Sequence, residues 1–491
     1  MNSYPRNSIA TCVTIAMLVA ACGGGGGGST TAGIDGTGSP SVPSVASAAA
    51  YGTVTAFGSI FVNGIRFETE SAEFEIDGES GTQADLSIGD VVLVVGTLNS
   101  GSTTQGTATS VVFDDAVEGP VESVNQATGT LVVLGQTVRI SANTSFDDSI
   151  QSQSLASIVP GDVVEVSGLR ASDGSIEATR IEAKPASTEF ETTGVVSNHD
   201  VTAKTFDINA LLVDYTGAML NDFPSGAIAN GDIVEVKGGT TLGPNGELVA
   251  TRVERKAGRL APNAGDHAEI EGFITRFVNA QDFDVSGFPV TTTNQTVFDG
   301  GAAGDLGLDI KVEAEGALNA DGVLVASRID IRRSRTVRLM ALVDAVSPGT
   351  SSFVSLTITI KTDTLTRIED KSDADVEPFS VDQLVAGNYV EVRGVEFPAG
   401  SGEILAGLLE RKDVDADTEL QGFVETVTEP TFTILGVTIT TNGGTVFRDA
   451  ADNVISSDDF FAQAAGSLVK ADGTEVANAE IVATEVELEI E

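Results

Sequence analysis

The sequence predicts an all-β protein built as a tandem array of about six small β-barrel modules, and three observations predict it. Glycine-centred turn motifs return about every 70–80 residues along most of the chain. Inside each repeat, apolar and polar residues alternate with the period of a strand. The composition also favours strands and turns over helices, with 54 Gly, 22 Phe, 4 Tyr and no Trp. A chain of 491 residues exceeds one small core, and 41% apolar residues are enough to fill several.

The N-terminus comes first in order. Arg6 precedes an apolar run from Ile9 to Ala21. Thirteen residues are too few for a membrane-spanning helix, which needs about 20, but suit a signal peptide. The run closes in Val19-Ala20-Ala21-Cys22, which resembles the bacterial lipobox, where cleavage before a cysteine exposes it for lipid attachment. Residues 1–21 are therefore expected to be a lipoprotein signal peptide, Cys22 the lipid-attachment residue, and residues 22–50 a lipid-anchored Gly/Ser-rich linker. The run Gly23–Gly28 satisfies a dinucleotide-binding pattern trivially, but no strand precedes it and no helical pattern follows. Cys12 and Cys22 are the only cysteines, so the body after residue 22 has no thiol for disulfides, catalysis or metal binding.

Each repeat opens with Gly-x-Val/Ile, as in Gly52-Thr53-Val54, Gly119-Pro120-Val121, Gly194-Val195-Val196, Gly272-Phe273-Ile274 and Gly422-Phe423-Val424; Ala341-Leu342-Val343 lacks the glycine. A hairpin follows, clearest at Asn63-Gly64 between two apolar runs. Next comes Gly-Asp before an alternating strand: Gly89-Asp90, Gly161-Asp162 and Gly231-Asp232, decaying to Gly307, Gly387 and Gly466. Ala178-Thr179-Arg180-Ile181, Ala250-Thr251-Arg252-Val253 and Ala326-Ser327-Arg328-Ile329 close their units. Ile176 and Ala178 share a face but Ile181 falls out of phase by one, so a bulge or bend is expected there. Strand, two-strand hairpin, connector and two further strands make a five-stranded OB-like barrel. The units are placed at 51–117, 118–188, 189–262, 263–335, 336–414 and 415–491.

With Thr144-Ser145-Phe146-Asp147 and Asp173-Gly174-Ser175-Ile176-Glu177-Ala178-Thr179-Arg180-Ile181-Glu182 added, these motifs resemble the bacterial repeat domain of unknown function 5666, a family of exported lipoproteins. The resemblance covers roughly Tyr51 to the C-terminus. It implies an exported bacterial protein and supplies no catalytic residues.

Little else carries chemistry. His199 and His267 each neighbour an aspartate, but the equivalent positions of the other units are not His. There is no nucleophile elbow, zinc-binding helix motif or phosphate loop. The recurring Gly-Asp reads as a turn cap, and Arg180, Arg252 and Arg328 as partners of surface carboxylates. Asp413, Asp415 and Asp417, at the junction of the last two units, place oxygens at alternate positions and are the candidate calcium ligands, beside Asp370, Asp373 and Asp375. They do not form an EF-hand, because Thr418 and Val424 stand where Gly and Glu are required. The basic stretch Arg332–Arg338 joins units four and five.

With 71 Asp+Glu against 27 Lys+Arg, the net charge is −44, which argues against nucleic-acid partners. No other cofactor is expected. The expectation is a non-enzymatic, lipid-anchored protein of the bacterial cell envelope, at the outer membrane or cell surface. It would act as spacer, adhesin or assembly partner, with the membrane as one partner and a protein or glycan as another. The alternatives are an extracellular glycan- or calcium-binding protein and, behind it, an exported hydrolase, which needs only two carboxylates.

Overall fold

A computed structural model of the chain describes residues 47–489, apart from 142–143, 187, 225, 257–259, 261–262, 333–336, 348, 364–365, 377, 399, 416, 451–452 and 477–478. The expected signal peptide, Cys22 and the linker up to residue 46 lie outside the described residues. Ser47–Ala50, read from sequence as the linker's end, belong to the first strand, Ser47–Ala56, where Ala48, Ala49 and Ala50 are fully buried.

Every unit closes a five-stranded barrel. In unit two the strands are Val117–Asn125, Thr130–Val133, Gln136–Arg139, Val163–Arg170 and Ile176–Lys184. The first pairs with the second, the second with the third, the third in parallel with the fifth, the fifth with the fourth, and the fourth again with the first. This is the strand order of an OB barrel, and the other units repeat it. Between strands three and four, a short bridging strand adds in parallel to the far half of strand five, as Ser145–Phe146 does in unit two. The connector before strand four is a short 3₁₀ turn in units one, two, four and five and an α-helix, Ser457–Ala464, in unit six.

The repeating motifs are explained by local packing. Asn63 and Gly64 both have positive φ, 50° and 80°, the backbone of a tight hairpin turn. A Cβ on Gly52 would lie 2.1 Å from Asn63 Oδ1, so the opening glycine lets the hairpin fold down onto strand one. Asp90, Asp162 and Asp232 each accept a hydrogen bond from the backbone N–H three residues earlier, at 2.6, 2.9 and 2.8 Å. Asn388 does the same in unit five. In unit four the sequence alignment on Gly307 is corrected. Asp309, with φ 62°, takes the turn glycine's place, and its N–H donates to Ile274 O as Gly161 N–H does to Val121 O.

The expected slip in the closing strand is a β-bulge. Ser167 pairs with Arg180 but Gly168 with Ala178, leaving Thr179 unopposed. Ile176, Ala178 and Ile181 thereby all reach the core. A Cβ on Gly168 would stand 2.5 Å from Glu177 O, which fixes glycine opposite the bulge. The same shift recurs at the same place in every unit.

The barrels are not beads on a string. They merge in pairs through their first strands. Units two and three join antiparallel, as do units five and six. Unit one skips its sequence neighbour and pairs in parallel with unit four, Ala48 opposite His267 and Tyr51 opposite Ile270. Three large sheets result, and the described residues form one compact unit.

Candidate functional site: a carboxylate-lined junction

Pairing barrels by their first strands buries faces that alternation alone assigns to solvent. Glu165, Glu235 and Glu391 stand at the middle of the Val-Glu-Val strands and read from sequence as outward and hydrated. They are 7%, 1% and 1% exposed, because a neighbouring barrel covers that outer face. Arg180, expected on a barrel surface, is 5% exposed and pairs with Asp147 across the unit and with Asp90 of unit one at 3.9 Å. Only Arg328, among the three closing-strand arginines, keeps the expected exposed pair, with Asp299 at 2.9 Å.

The densest charge lies where units one, two and three meet. Strand one of unit two carries Glu118, which stands directly opposite Glu165 on one side and Glu191 of unit three on the other. Three glutamates therefore run side by side across three adjacent strands, an arrangement that costs energy for like charges. Asp115, in the short link between units one and two, overlies this row, and its N–H donates to Asp77 Oδ1 of unit one at 3.2 Å. Oxygens of Asp115, Glu118 and Glu165 converge within 4.8 Å of one another, and so do those of Asp77, Asp115 and Glu191. Asp115 belongs to both groups. It is fully buried, and neither carboxylate oxygen is met by an N–H or hydroxyl donor, while the Glu118 carboxyl lies within hydrogen-bond reach.

The electrostatics follow. Burial, reinforced by the charges of Glu165, Asp77, Glu191 and Glu118, holds the Asp115 carboxyl well above the ordinary range. Burial and Glu165 push Glu118 up to about 7, against the pull of Lys184. Burial also raises Glu191, although Lys237 opposes it. Lys184 pairs with Glu165 and Glu182, and Lys237 with Glu191 and Glu235. A cleft of about 570 Å³ is lined by Asp77, Glu165, Arg180 and Lys184 among others, while Asp115, Glu118 and Glu191 lie behind its walls. The donors are all carboxylate oxygens, a set suited to hard cations or to shared protons.

The residues singled out from sequence lie elsewhere. Asp413 Oδ1 accepts from the Asp373 N–H at 3.0 Å, Asp415 Oδ1 from the Asp417 N–H at 3.3 Å, and the Asp417 carbonyl from the Tyr389 hydroxyl at 2.8 Å. Among the described residues, these three carboxylates are not one of the groups that converge. Asp370 is engaged by Arg411, Ser372 and Val376. His199 bonds Tyr215 at 2.7 Å and packs on Phe206. His267 lies 3.0 Å from Glu269 and converges with Glu269 and Glu315. From the basic stretch, Arg338 reaches Glu391 at 2.9 Å and Glu419 at 2.8 Å, while residues 333–336 lie outside the described residues. Asp77, Asp115, Glu118 and Glu191 went unnoticed in the sequence because none belongs to a recurring motif. Their one common property is a place at a contact between barrels.

The fold and its junctions define a tandem array of OB-type barrels fused edge to edge. The family model described as a domain of unknown function (DUF5666) matches residues 118–182, 193–254, 271–330, 341–407 and 421–487, well over half of the chain, and the chain belongs to that family. The matches fall on units two to six. Unit one lies outside the matched segments yet shares their strand order. No curated protein matches the chain in sequence.

Proposed function

We propose that this protein is a non-enzymatic, lipid-anchored component of the bacterial cell envelope that serves as a stiff spacer and assembly platform. The single observation that supports the reading is the parallel joining of unit one to unit four, past units two and three in sequence, which fixes non-consecutive barrels to each other. A body of that kind holds a surface at a fixed distance, as a flexible chain of domains would not. The recurring residues fit the same reading, since Gly52, Asp90, Asp162, Gly168 and Thr144 are each accounted for by turns, bulges and backbone hydrogen bonds. Among the described residues no helix is long and apolar enough to cross a membrane, and the lipid on Cys22 would supply the attachment in this scheme. The test is metabolic lipid labelling with cell fractionation. Wild type should carry label and sediment with membranes, and Cys22→Ala should lose both. A Cys22→Ala protein that fractionates like wild type would refute the anchor.

A further inference from the structure

The junction of units one, two and three has a twin. Units five and six meet through the same antiparallel pairing, and the residues correspond one to one. Glu391 stands where Glu165 does, Glu419 where Glu191 does, and both lie opposite Met340, which occupies the place of Glu118. Two residues before Met340 comes Arg338, whose guanidinium reaches Glu391 and Glu419 together. Two residues before Glu118 comes Ala116. The first junction has therefore gained a carboxylate at the centre of the row and lacks the arginine that spans the twin. Asp115 and Asp77 add two more carboxylates above it.

We infer that Asp77, Asp115, Glu118, Glu165 and Glu191 form a binding site for a divalent cation of calcium's chemistry, which takes the bridging role that Arg338 plays in the twin junction. The geometry supports this in three ways. Ligand oxygens around calcium sit about 2.3–2.6 Å from the ion, so those on opposite sides lie roughly 5 Å apart. Within each of the two groups, Asp115–Glu118–Glu165 and Asp77–Asp115–Glu191, the oxygens converge within 4.8 Å, and Asp115 is shared by both. Asp115 is fully buried and neither of its oxygens is met by an N–H or hydroxyl donor, nor are single oxygens of Glu118 and Glu191. An ion between them would satisfy acceptors that otherwise cost about 1–3 kcal/mol each, and more when charged. Lys184 and Lys237 bind Glu165 and Glu191 but do not reach Asp115 as ion-pair partners. Two of the five residues, Asp77 and Glu165, also line a solvent-facing cleft. With oxygens drawn from unit one, the link, unit two and unit three, the ion would tie three barrels together.

The test uses the full-length protein, stripped with EDTA and titrated with calcium chloride at physiological ionic strength, followed by calorimetry and thermal unfolding. Wild type should take up one calcium per chain well above the weak uptake of its acidic surface, with a rise in the unfolding midpoint. Glu118→Met copies the twin junction and should fold. It should lose that uptake by at least tenfold, the scale of ligand-environment changes at metal sites, and should unfold at a higher temperature than stripped wild type. Asp115→Asn should behave likewise, while Asp413→Asn should bind as wild type does. A wild-type protein without a distinct calcium site, a folded Glu118→Met protein that keeps it, or loss of the site in Asp413→Asn would each overturn the inference.

Discussion

The two antiparallel junctions solve one electrostatic problem in opposite ways. At units five and six, burial works against ionisation of Glu391, but Arg393, Arg338 and Lys412 outweigh it and hold the carboxyl far below the usual glutamate range. At units two and three, Glu118 sits among other acids and is pushed up to about 7. The relief at the twin is one-sided. Glu419, which also faces Asp472, is pushed up to about 7 by burial despite Arg338. The same barrel position thus hosts Glu391, a salt-bridge hub held low, in one junction and Glu165, raised by burial despite Lys184, in the other. The difference shows that repeat identity fixes where a side chain stands, whereas the partners brought by the next barrel fix its state.

The largest expected effect breaks the satisfied side of that contrast. Glu391→Gln leaves Arg338, Arg393 and Lys412 facing one another in a buried setting and should cost about 3–5 kcal/mol. Urea unfolding monitored by circular dichroism measures it. Next come changes that should strike both junctions equally. Gly168→Ala and Gly394→Ala each force a Cβ to within 2.5 and 2.3 Å of a carbonyl oxygen opposite the bulge, and each should cost about 1–3 kcal/mol. A clear difference between them in denaturant midpoint would mean that the bulges are not equivalent.

The pH response separates the junctions directly. Glu118 has a folded pKa raised from an ordinary value of 4.5, so its stabilising share is complete below about pH 4.5 and is lost as pH climbs through 7. Glu391 has the opposite sign, and its share is present at neutral pH and lost only in strong acid. Cation-stripped protein should therefore show a falling thermal midpoint between pH 4.5 and 7, and Glu118→Met should flatten that fall. The smallest effect belongs to the exposed pair. Arg328→Ala removes a contact to Asp299 at 2.9 Å and should shift stability by less than about 1 kcal/mol, diminishing further in high salt.

Much of the barrel was legible in the sequence because its signals are local. Asn63-Gly64 encodes a turn, Gly161-Asp162 a capped connector, and the broken phase between Ala178 and Ile181 a bulge. The pairing of barrels was not legible, since it depends on which outer faces meet. Val164-Glu165-Val166 reads as half-exposed alternation whether water or another barrel lies outside. The carboxylate junction inherits that blindness. Asp115 and Asp77 are 38 positions apart and meet through unit one's own bridging strand, where Ile76 pairs with Phe113, but Glu118, Glu165 and Glu191 join them only when the barrels pack. Asp413, Asp415 and Asp417, conspicuous as a written pattern, engage their surroundings singly.

The partnership of Ala48 with His267 has a consequence for how the chain is made. The first strand among the described residues must wait for a mate that arrives more than two hundred residues later, and at usual synthesis speeds of about 5–20 residues per second that is a delay of at least ten seconds or so. During that interval one edge of Ser47–Tyr51 is open to pairing with any passing strand, including the same strand of a sister molecule. Assembly of the finished body is thereby a late, long-range event, and a truncated chain ending after unit three should show its unsatisfied edge by self-association.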